Sequence, residues 1–124
     1  MQKQRYHELR VWQRADEFVQ TVYLHTKNFP YDERFGVTSQ LRRAAVSIVL
    51  NIVEGQARGT TKDFIRFLMM SRGSIAESAY LLELSSKLKY LSEKEFTVLE
   101  SKCTQTSYLL QQLITSLTIK DSKP

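Results

Sequence analysis

Two glutamates, Glu54 and Glu77, are the residues of this chain whose type and spacing could support catalysis or metal binding. Glu54 follows Asn51 by one helical turn and Glu77 follows Gly73 by one turn, so each pair shares a helix face. Carboxylates that face each other inside a helical bundle can act as a paired acid and base or hold a metal ion. Glu54 and Glu77 could form such a pair if their helices were neighbours.

A second interpretation of the same residues is a structural network of charged and polar side chains. In this network the glutamates pair with arginines, including Arg66, and an asparagine fixes the register of the helices. We favour it because a di-metal bundle needs about four carboxylates and Glu-x-x-His partners, and the sequence has no Glu-x-x-His segment. No metal ion or other cofactor is therefore expected. The predicted network contains Arg43, Asn51, Glu54, Arg72 and Glu77.

Other residue types that catalysis often uses are scarce. His7 and His25 do not have metal-like spacing, so both are expected to be partly exposed surface groups. Cys103 is the single cysteine; it has no base close to it in the sequence, and its apolar helical neighbours predict a buried thiol. The glycines match no nucleotide-binding fingerprint. We expect a protein without enzymatic activity, and a hydrolase that uses Glu54 and Glu77 is the alternative.

Positive charge is concentrated between residues 34 and 72. The whole chain has a formal net charge of +5, and this segment has seven basic residues against only Glu54 and Asp63. Lys and Arg bind nucleic-acid phosphates with little sequence preference, because they displace counterions. The alternative is a solvated surface with a few ion pairs inside the molecule. The expected contacts to RNA or DNA are Arg42, Arg58, Lys62 and Arg66.

Four segments with helical periodicity have to position these residues. The pattern predicts helices at residues 11–27, 38–57, 62–88 and 93–117. Ser92 followed by Glu95 predicts a capping box at the fourth helix, and Thr38 and Thr61 are the expected N-caps of the second and third. Only four Gly and two Pro are present, too few for the turns of an all-β protein. The predicted fold is an all-α, antiparallel, up-and-down four-helix bundle.

The second and third predicted helices are apolar on two faces, whereas the first and fourth have one apolar stripe each. A small domain has no further layer with which to cover a second face, so another copy of the chain could cover it. The alternative is that the second face stays partly exposed. The second faces consist of Val46, Val49, Leu50, Val53 and Ala57, and of Met70, Leu81, Leu84 and Leu88.

Length and composition favour one soluble domain. The chain has 124 residues, of which 42% are hydrophobic and 25% are charged, and these values are ordinary for a single globular domain. Short polar tails are expected at about residues 1–8 and 119–124. The sequence has neither a signal peptide nor an apolar stretch long enough to cross a bilayer, and one cysteine suits a reducing compartment. We expect a cytoplasmic protein without a membrane partner.

Several segments carry a family resemblance when they are taken in order. They are residues 8–15 (ELRVWQRA), 38–48 (TSQLRRAAVSI), 51–55 (NIVEG), 62–68 (KDFIRFL), 72–74 (RGS) with Glu77, and 90–92 (YLS). Together they resemble the bacterial four-helix-bundle family of 23S rRNA intervening-sequence proteins, over almost the full chain. The resemblance implies a ring-like homopentamer without established enzymatic activity. It also implies a distant kinship with the accessory proteins of diversity-generating retroelements, which bind nucleic acid and a reverse transcriptase.

These features predict a non-enzymatic homo-oligomer, with five subunits as the resemblance implies, that binds RNA or DNA through its basic residues. The alternative is an assembly or adaptor protein whose apolar helix faces recruit a protein partner, such as a reverse transcriptase. In that case the positive charge would mainly serve solubility.

Overall fold

The computed structural model describes residues 5–124, which form helices and no strand. The four long helices are Arg10–Thr26 (α1), Val37–Ala57 (α2), Thr61–Lys87 (α3) and Glu93–Asp121 (α4). Short 3-10 turns at Arg5–Glu8 and Tyr31–Glu33 precede α1 and α2. The predicted all-α bundle is confirmed, and the predicted helix boundaries are correct to within one residue except at the end of α4.

Each helix packs against two neighbours. α1 contacts α2 and α4, and α3 also contacts α2 and α4, whereas the diagonal pairs make no close backbone approach. Because short connections join consecutive helices, neighbouring helices are antiparallel and the bundle is of the up-and-down type. The groove between α1 and α2 therefore lies on the opposite side of the molecule from the groove between α3 and α4.

Helical structure extends into the segments that were expected to be polar tails. Residues 5–8 form a 3-10 turn, and α4 continues to Asp121. A helix can continue past its last apolar position, because its backbone hydrogen bonds are local and its exposed polar residues tolerate the conformation. The C-terminal tail is therefore shorter than predicted, and residues 1–4 of the expected N-terminal tail lie outside the described residues.

The starts of α3 and α4 are capped by hydroxyl side chains. Ser92 accepts a hydrogen bond from the backbone N–H of Glu95, whose carboxylate accepts one from the N–H of Ser92, so the predicted capping box is confirmed. The N-cap of α3 is Thr60, which accepts from the N–H of Asp63 at 3.2 Å. The prediction of Thr61 as this cap was wrong by one residue.

The start of α2 differs from the prediction. Thr38 is not its N-cap, because the helix begins after Gly36 and Thr38 is buried in the first turn. The carboxylate of Glu33 instead accepts a hydrogen bond from the backbone N–H of Val37 at 3.2 Å. The cap therefore comes from the 3-10 turn that precedes the helix, and not from a hydroxyl at the helix start.

The core combines one apolar stripe from each helix. Removal of these side chains from water contributes roughly 25 cal/mol per Å² of apolar surface, which is the main favourable term in folding. Cys103 belongs to this core, so the predicted buried thiol is confirmed. The largest fully buried side chains of the core include Phe18, Val22, Leu41, Ile48, Ile52, Leu68, Leu82, Leu99 and Leu110.

Small residues bring α2 and α3 close together. Ser71 is fully buried and its hydroxyl donates a 2.8 Å hydrogen bond to the backbone carbonyl of Ile48. A Cβ atom added to Gly55 would lie 2.6 Å from the Cβ of Phe67, so only a glycine fits there. These contacts place Ile48 opposite Ser71 and Gly55 opposite Phe67, and they thereby set the register between the two helices.

The second faces of α2 and α3 are only partly covered. Leu50 is 59% exposed, Met70 is 50% exposed and Leu88 is 45% exposed, whereas Leu81, which was assigned to the second face of α3, is buried in the core. Apolar side chains that lie together on adjacent surface helices are candidates for contact with another molecule. No helix among residues 5–124 is long and apolar enough to cross a membrane.

Candidate nucleic-acid interface

Three of the four predicted nucleic-acid contacts lie at the turn between α2 and α3. Arg58 is the C-cap of α2, and Lys62 and Arg66 lie in the first two turns of α3. Gly59 has a φ of +86°, a conformation that glycine adopts without steric cost, and this allows the chain to reverse in a few residues. All three basic side chains are exposed. We call Arg58, Lys62 and Arg66 the turn cluster.

A buried aromatic ring holds two members of the turn cluster near each other. The guanidinium carbon of Arg58 lies 5.0 Å from the centre of the Phe67 ring, and that of Arg66 lies 4.9 Å from the same centre. Such cation–π contacts stabilise an exposed site by about 0.5–1 kcal/mol. Phe67 therefore limits the freedom of both arginines and keeps them at one end of the bundle.

Two carboxylates partly neutralise the turn cluster. Arg58 pairs with Glu54 at 3.1 Å, and Arg66 pairs with Asp63 at 3.3 Å. All four side chains are substantially exposed, and exposed ion pairs typically contribute only about 0–1 kcal/mol. A phosphate group could therefore replace either carboxylate at small cost. Lys62 is the member of the turn cluster that takes part in neither of these pairs.

Arg42, the fourth predicted contact, lies apart from the turn cluster. It is half-buried, its Nε donates a 2.8 Å hydrogen bond to Thr26, and its guanidinium carbon lies 4.6 Å from the centre of the Tyr23 ring. Arg42 and Arg58 are separated by about 24 Å along α2, because an α-helix rises about 1.5 Å per residue. The structure therefore does not bring the four predicted contacts together.

The residues of the predicted polar network are spread over separate places. Glu54 pairs with Arg58, which was not among its expected partners, and Asn51 donates to the backbone carbonyl and hydroxyl of Ser47 on its own helix. Arg72 donates a 3.2 Å hydrogen bond to Gln111 of α4. These bonds are mostly local to one helix or one helix pair, so they do not form one connected network.

Arg43 and Glu77 line one polar groove of about 260 Å³ between α2 and α3, together with Ser47 and Ser74. The hydroxyl of Ser74 donates to that of Ser47 at 2.9 Å. With this register, Glu54 lies further along α2, and the offset from Glu77 is about 16 Å along the axis. The two glutamates therefore cannot act as a directly facing pair.

Cysteine and histidine are two further residue types that can support catalysis, and here Cys103 is buried and His25 contacts a carboxylate. Burial, with a smaller effect of Glu100, raises the pKa of Cys103 to about 11, so its thiol is poorly nucleophilic at neutral pH. His25 is half-buried beside Glu95, with 3.1 Å between its Nδ1 and the carboxylate. Among residues 5–124, no three His, Cys, Asp or Glu side chains are grouped closely enough to hold a metal ion.

An exposed cluster before α2 was missed at the sequence level. The guanidinium carbon of Arg34 lies 3.7 Å from the centre of the Tyr31 ring and 4.7 Å from that of Phe35. Tyr31 is 75% exposed and Phe35 is 84% exposed. The available signal was two aromatic residues that flank charged ones directly after Pro30. Arg34 also lines a groove of about 490 Å³ between α1 and α2, with Tyr23, Arg42, Arg43, Val46 and Leu50 among its other residues.

Comparisons with known proteins identify a family and a solved structure of the same fold. Residues 7–112 match the family described as 23S rRNA-intervening sequence protein. A solved structure, that of a protein with unknown function from the S23 ribosomal protein family of Bacteroides thetaiotaomicron VPI-5482, aligns with a TM-score of 0.76 and 26% sequence identity. The alignment covers 84% of this chain and 97% of that chain. No curated protein matches the sequence significantly.

Proposed function

The chain belongs to the 23S rRNA-intervening sequence protein family, and we propose that it is a non-enzymatic, homo-oligomeric bundle that binds RNA. The turn cluster is the observation that supports RNA binding best. Arg58, Lys62 and Arg66 extend from one exposed end of the molecule, and contacts of this kind recognise phosphates without reading the sequence. Structured RNA is the proposed ligand, and DNA of similar charge density is the second.

The start of α3 adds a smaller electrostatic contribution at the same place. The first turn of a helix carries a partial positive charge, because its backbone N–H groups have no partners inside the helix. Thr60 satisfies one of these groups by accepting from Asp63, and Lys62 lies in the same turn. A phosphate near this end would therefore meet both side-chain charges and the field of the helix.

Assembly into an oligomer would bring together several copies of a weak RNA-binding site. One protomer offers three cations at the turn, two of which already have carboxylate partners. Repetition of the turn around an assembly, with five copies as the expected number, would allow one RNA to contact several turns at once. Linked contacts raise the overall affinity without any new kind of contact.

The test is a binding titration with a fluorescently labelled RNA stem-loop over a series of salt concentrations. Wild-type affinity should fall steeply between about 50 and 200 mM salt, because phosphate contacts release counterions. A variant with Arg58→Gln, Lys62→Gln and Arg66→Gln should bind at least about tenfold more weakly. Its plot of log affinity against log salt should be flatter, by about one unit of slope for each phosphate that the variant no longer neutralises.

A matched control removes the same charge elsewhere. Lys27, Lys87 and Lys94 are exposed and lie at the other end of the bundle from the turn, so their triple replacement by glutamine should leave most of the affinity intact. Equal losses in both triple variants would show that only net charge matters. If the wild-type protein does not bind the stem-loop or a DNA duplex even at low salt, the RNA-binding proposal is wrong.

An adaptor that recruits a protein partner is the second candidate function. The exposed apolar side chains Leu50, Met70 and Leu88 favour it, because surfaces of this kind commonly mark contact sites. Light scattering at micromolar concentration distinguishes the two candidates in part. A homo-oligomer is expected for the RNA-binding protein. A strict monomer would favour the adaptor, whose apolar faces would then be free to bind another protein.

A further inference from the structure

Two unlike surfaces lie on opposite sides of the bundle. The aromatic face lies beside the α1–α2 groove and consists of Tyr23, Tyr31, Arg34, Phe35, Arg42 and Leu50. The α3–α4 trough has a volume of about 470 Å³, and its lining includes Ala76, Ala79, Thr104 and Ser107, with Ile75 and Cys103 at its floor. The helix order places the two surfaces back to back.

The aromatic face has the composition of a protein contact surface. Phe35 is the most exposed large apolar residue among those described, at 84%, and Arg34 stacks on its ring. Tyrosine, phenylalanine and arginine are enriched at the centres of interfaces. Since Phe35 gains nothing from exposure to water, burial of its ring against another molecule would be favourable.

The α3–α4 trough can accept a projecting side chain. Ala76 and Ala79 on α3 and Thr104 on α4 are short and exposed, so they leave room above the buried Ile75 and Cys103. The hydrogen bond between Arg72 and Gln111 closes one end of the trough. The trough is therefore a small-residue depression with an apolar floor.

The aromatic face and the open end of the trough are complementary in charge, whereas the basic residue that lines the trough, Arg72, lies at its closed end. The groove beside the aromatic face is lined by Arg34, Arg42 and Arg43 and by no acidic residue. On α3, Glu83 follows Ala79 by one turn, and on α4, Glu100 precedes Thr104 by one turn, so both glutamates lie at the open end of the trough. Opposite charges on two surfaces favour contact and fix its orientation.

We propose that the aromatic face of one copy of this chain docks in the α3–α4 trough of a second copy, with Phe35 seated among the alanines and Arg34 near Glu83 and Glu100. This inference rests on the homo-oligomer of the proposed function and identifies its contact. Because the two surfaces differ and lie on opposite sides, the contact is head-to-tail. Such a contact leaves one free surface at each end of a dimer and can propagate until a ring closes.

The size of a stable contact indicates which residues must take part. A specific interface buries about 800 Å² on each partner, whereas one aromatic side chain buries about 150–250 Å². Phe35 and Tyr31 together cannot supply that area, so Tyr23 and Leu50 from the helices have to contribute. Both are exposed apolar residues that line the groove beside Phe35.

The test measures molecular mass by light scattering coupled to size exclusion. Phe35→Asp should remove the projecting ring, and Ala79→Arg should fill the trough and repel Arg34; each variant should run with the mass of a single chain. Both positions are exposed, so both variants should keep the wild-type helix content. Ile119→Asp changes an exposed apolar residue outside both surfaces and should leave the oligomer intact.

A mixing experiment identifies a head-to-tail contact. Phe35→Asp keeps an intact trough and Ala79→Arg keeps an intact aromatic face, so an equimolar mixture should form a dimer and nothing larger. If each surface instead paired with the same surface of another copy, each variant would form a dimer by itself through its remaining intact surface, and the head-to-tail inference would be overturned. A mixture that stays monomeric would also overturn it.

Charge exchange provides a second set of variants. Arg34→Glu alone, and Glu83→Arg with Glu100→Arg, should each weaken self-association at least about tenfold, and their combination should recover part of the loss. A monomeric wild-type protein would overturn the homo-oligomer of the proposed function. A wild-type oligomer that persists in all these variants would overturn only the contact inferred here.

Discussion

The hydroxyl of Tyr90 donates a 2.7 Å hydrogen bond to the carboxylate of Glu33, and this bond joins the α3–α4 connection to the start of α2. The other carboxylate oxygen of Glu33 accepts the N–H of Val37. One side chain therefore caps α2 and ties it to a connection 57 residues further along the chain.

Tyr90→Phe should lower the stability of the bundle in a pH-dependent way. The hydrogen bond from Tyr90, and to a lesser degree that from Val37, lowers the pKa of Glu33. A lowered folded-state pKa means that the unfolded chain binds more protons, so this stabilisation is complete at neutral pH. It is lost as the pH falls from about 4.3 through the lowered pKa.

Carbon-13 NMR titration of Glu33 in both proteins, with urea denaturation at pH 7 and pH 3, checks this prediction. The pKa of Glu33 should rise towards the ordinary value in Tyr90→Phe. The two proteins should differ less in stability at pH 3 than at pH 7. Glu33→Gln serves as the control, because in that background Tyr90→Phe should no longer cause a pH-dependent loss.

Ser92→Ala should destabilise the protein by about 1 kcal/mol, because the start of α4 loses the hydroxyl that accepts from Glu95. The pKa of Glu95 is lowered mainly by the backbone N–H of Ser92, with smaller contributions from the Ser92 hydroxyl and His25. Ser101→Ala, at an exposed site inside the same helix, should change the stability by a few tenths of a kcal/mol at most. Thermal unfolding of the two variants compares them directly, and equal effects would contradict the role of the cap.

Gly55→Ala and Gly73→Ala should have opposite effects on stability. An added Cβ at Gly55 would lie 2.6 Å from Phe67, whereas nothing lies within 4 Å of one at Gly73. Steric overlap should therefore make Gly55→Ala destabilising by about 1–2 kcal/mol, although alanine favours the helix. Gly73→Ala should stabilise by about 0.5–1 kcal/mol. Urea denaturation measures both, and stabilisation by both substitutions would show that α2 and α3 are not closely packed at Gly55.

Lys89→Gly should stabilise the protein by about 0.5–1 kcal/mol. Lys89 follows α3 with a φ of 64°, a left-handed conformation that is costly for a residue with a side chain. The hydrogen bonds from Lys89 to Ser86 and from Tyr90 to Ser85 require this conformation at the helix end. Lys87→Gly, inside the last turn of α3, should destabilise by a similar amount, and calorimetry of the pair separates the two effects.

Cys103 should react slowly with iodoacetamide in the folded protein. Its pKa of about 11 leaves roughly 0.1% thiolate at pH 8, so alkylation should be at least about 100-fold slower than that of an ordinary cysteine. Ser101→Cys adds an exposed thiol on the same helix as an internal reference. Mass spectrometry should show one fast and one slow modification, and two fast ones would contradict the burial of Cys103.

Local patterns along the chain were enough to predict the helices, because helix formation depends on residues three and four positions apart. Periodicity placed the helix boundaries almost to the residue, and the Ser92–Glu95 capping box and the burial of Cys103 followed from the same local patterns. The local pattern failed at the start of α2, because Glu33 reaches that helix from the preceding turn.

Packing between the helices sets which side chains share a surface. The register between α2 and α3 depends on the close contacts of Gly55 with Phe67 and of Ile48 with Ser71. This register cannot be predicted from the residue pattern of either helix alone. That register separates Glu54 from Glu77 and keeps Arg42 away from the turn cluster. In the aromatic face, the stacking of Arg34 on Tyr31 and Phe35 is local, whereas the position of this turn against the bundle depends on the hydrogen bond from Tyr90 to Glu33, which joins residues 57 positions apart.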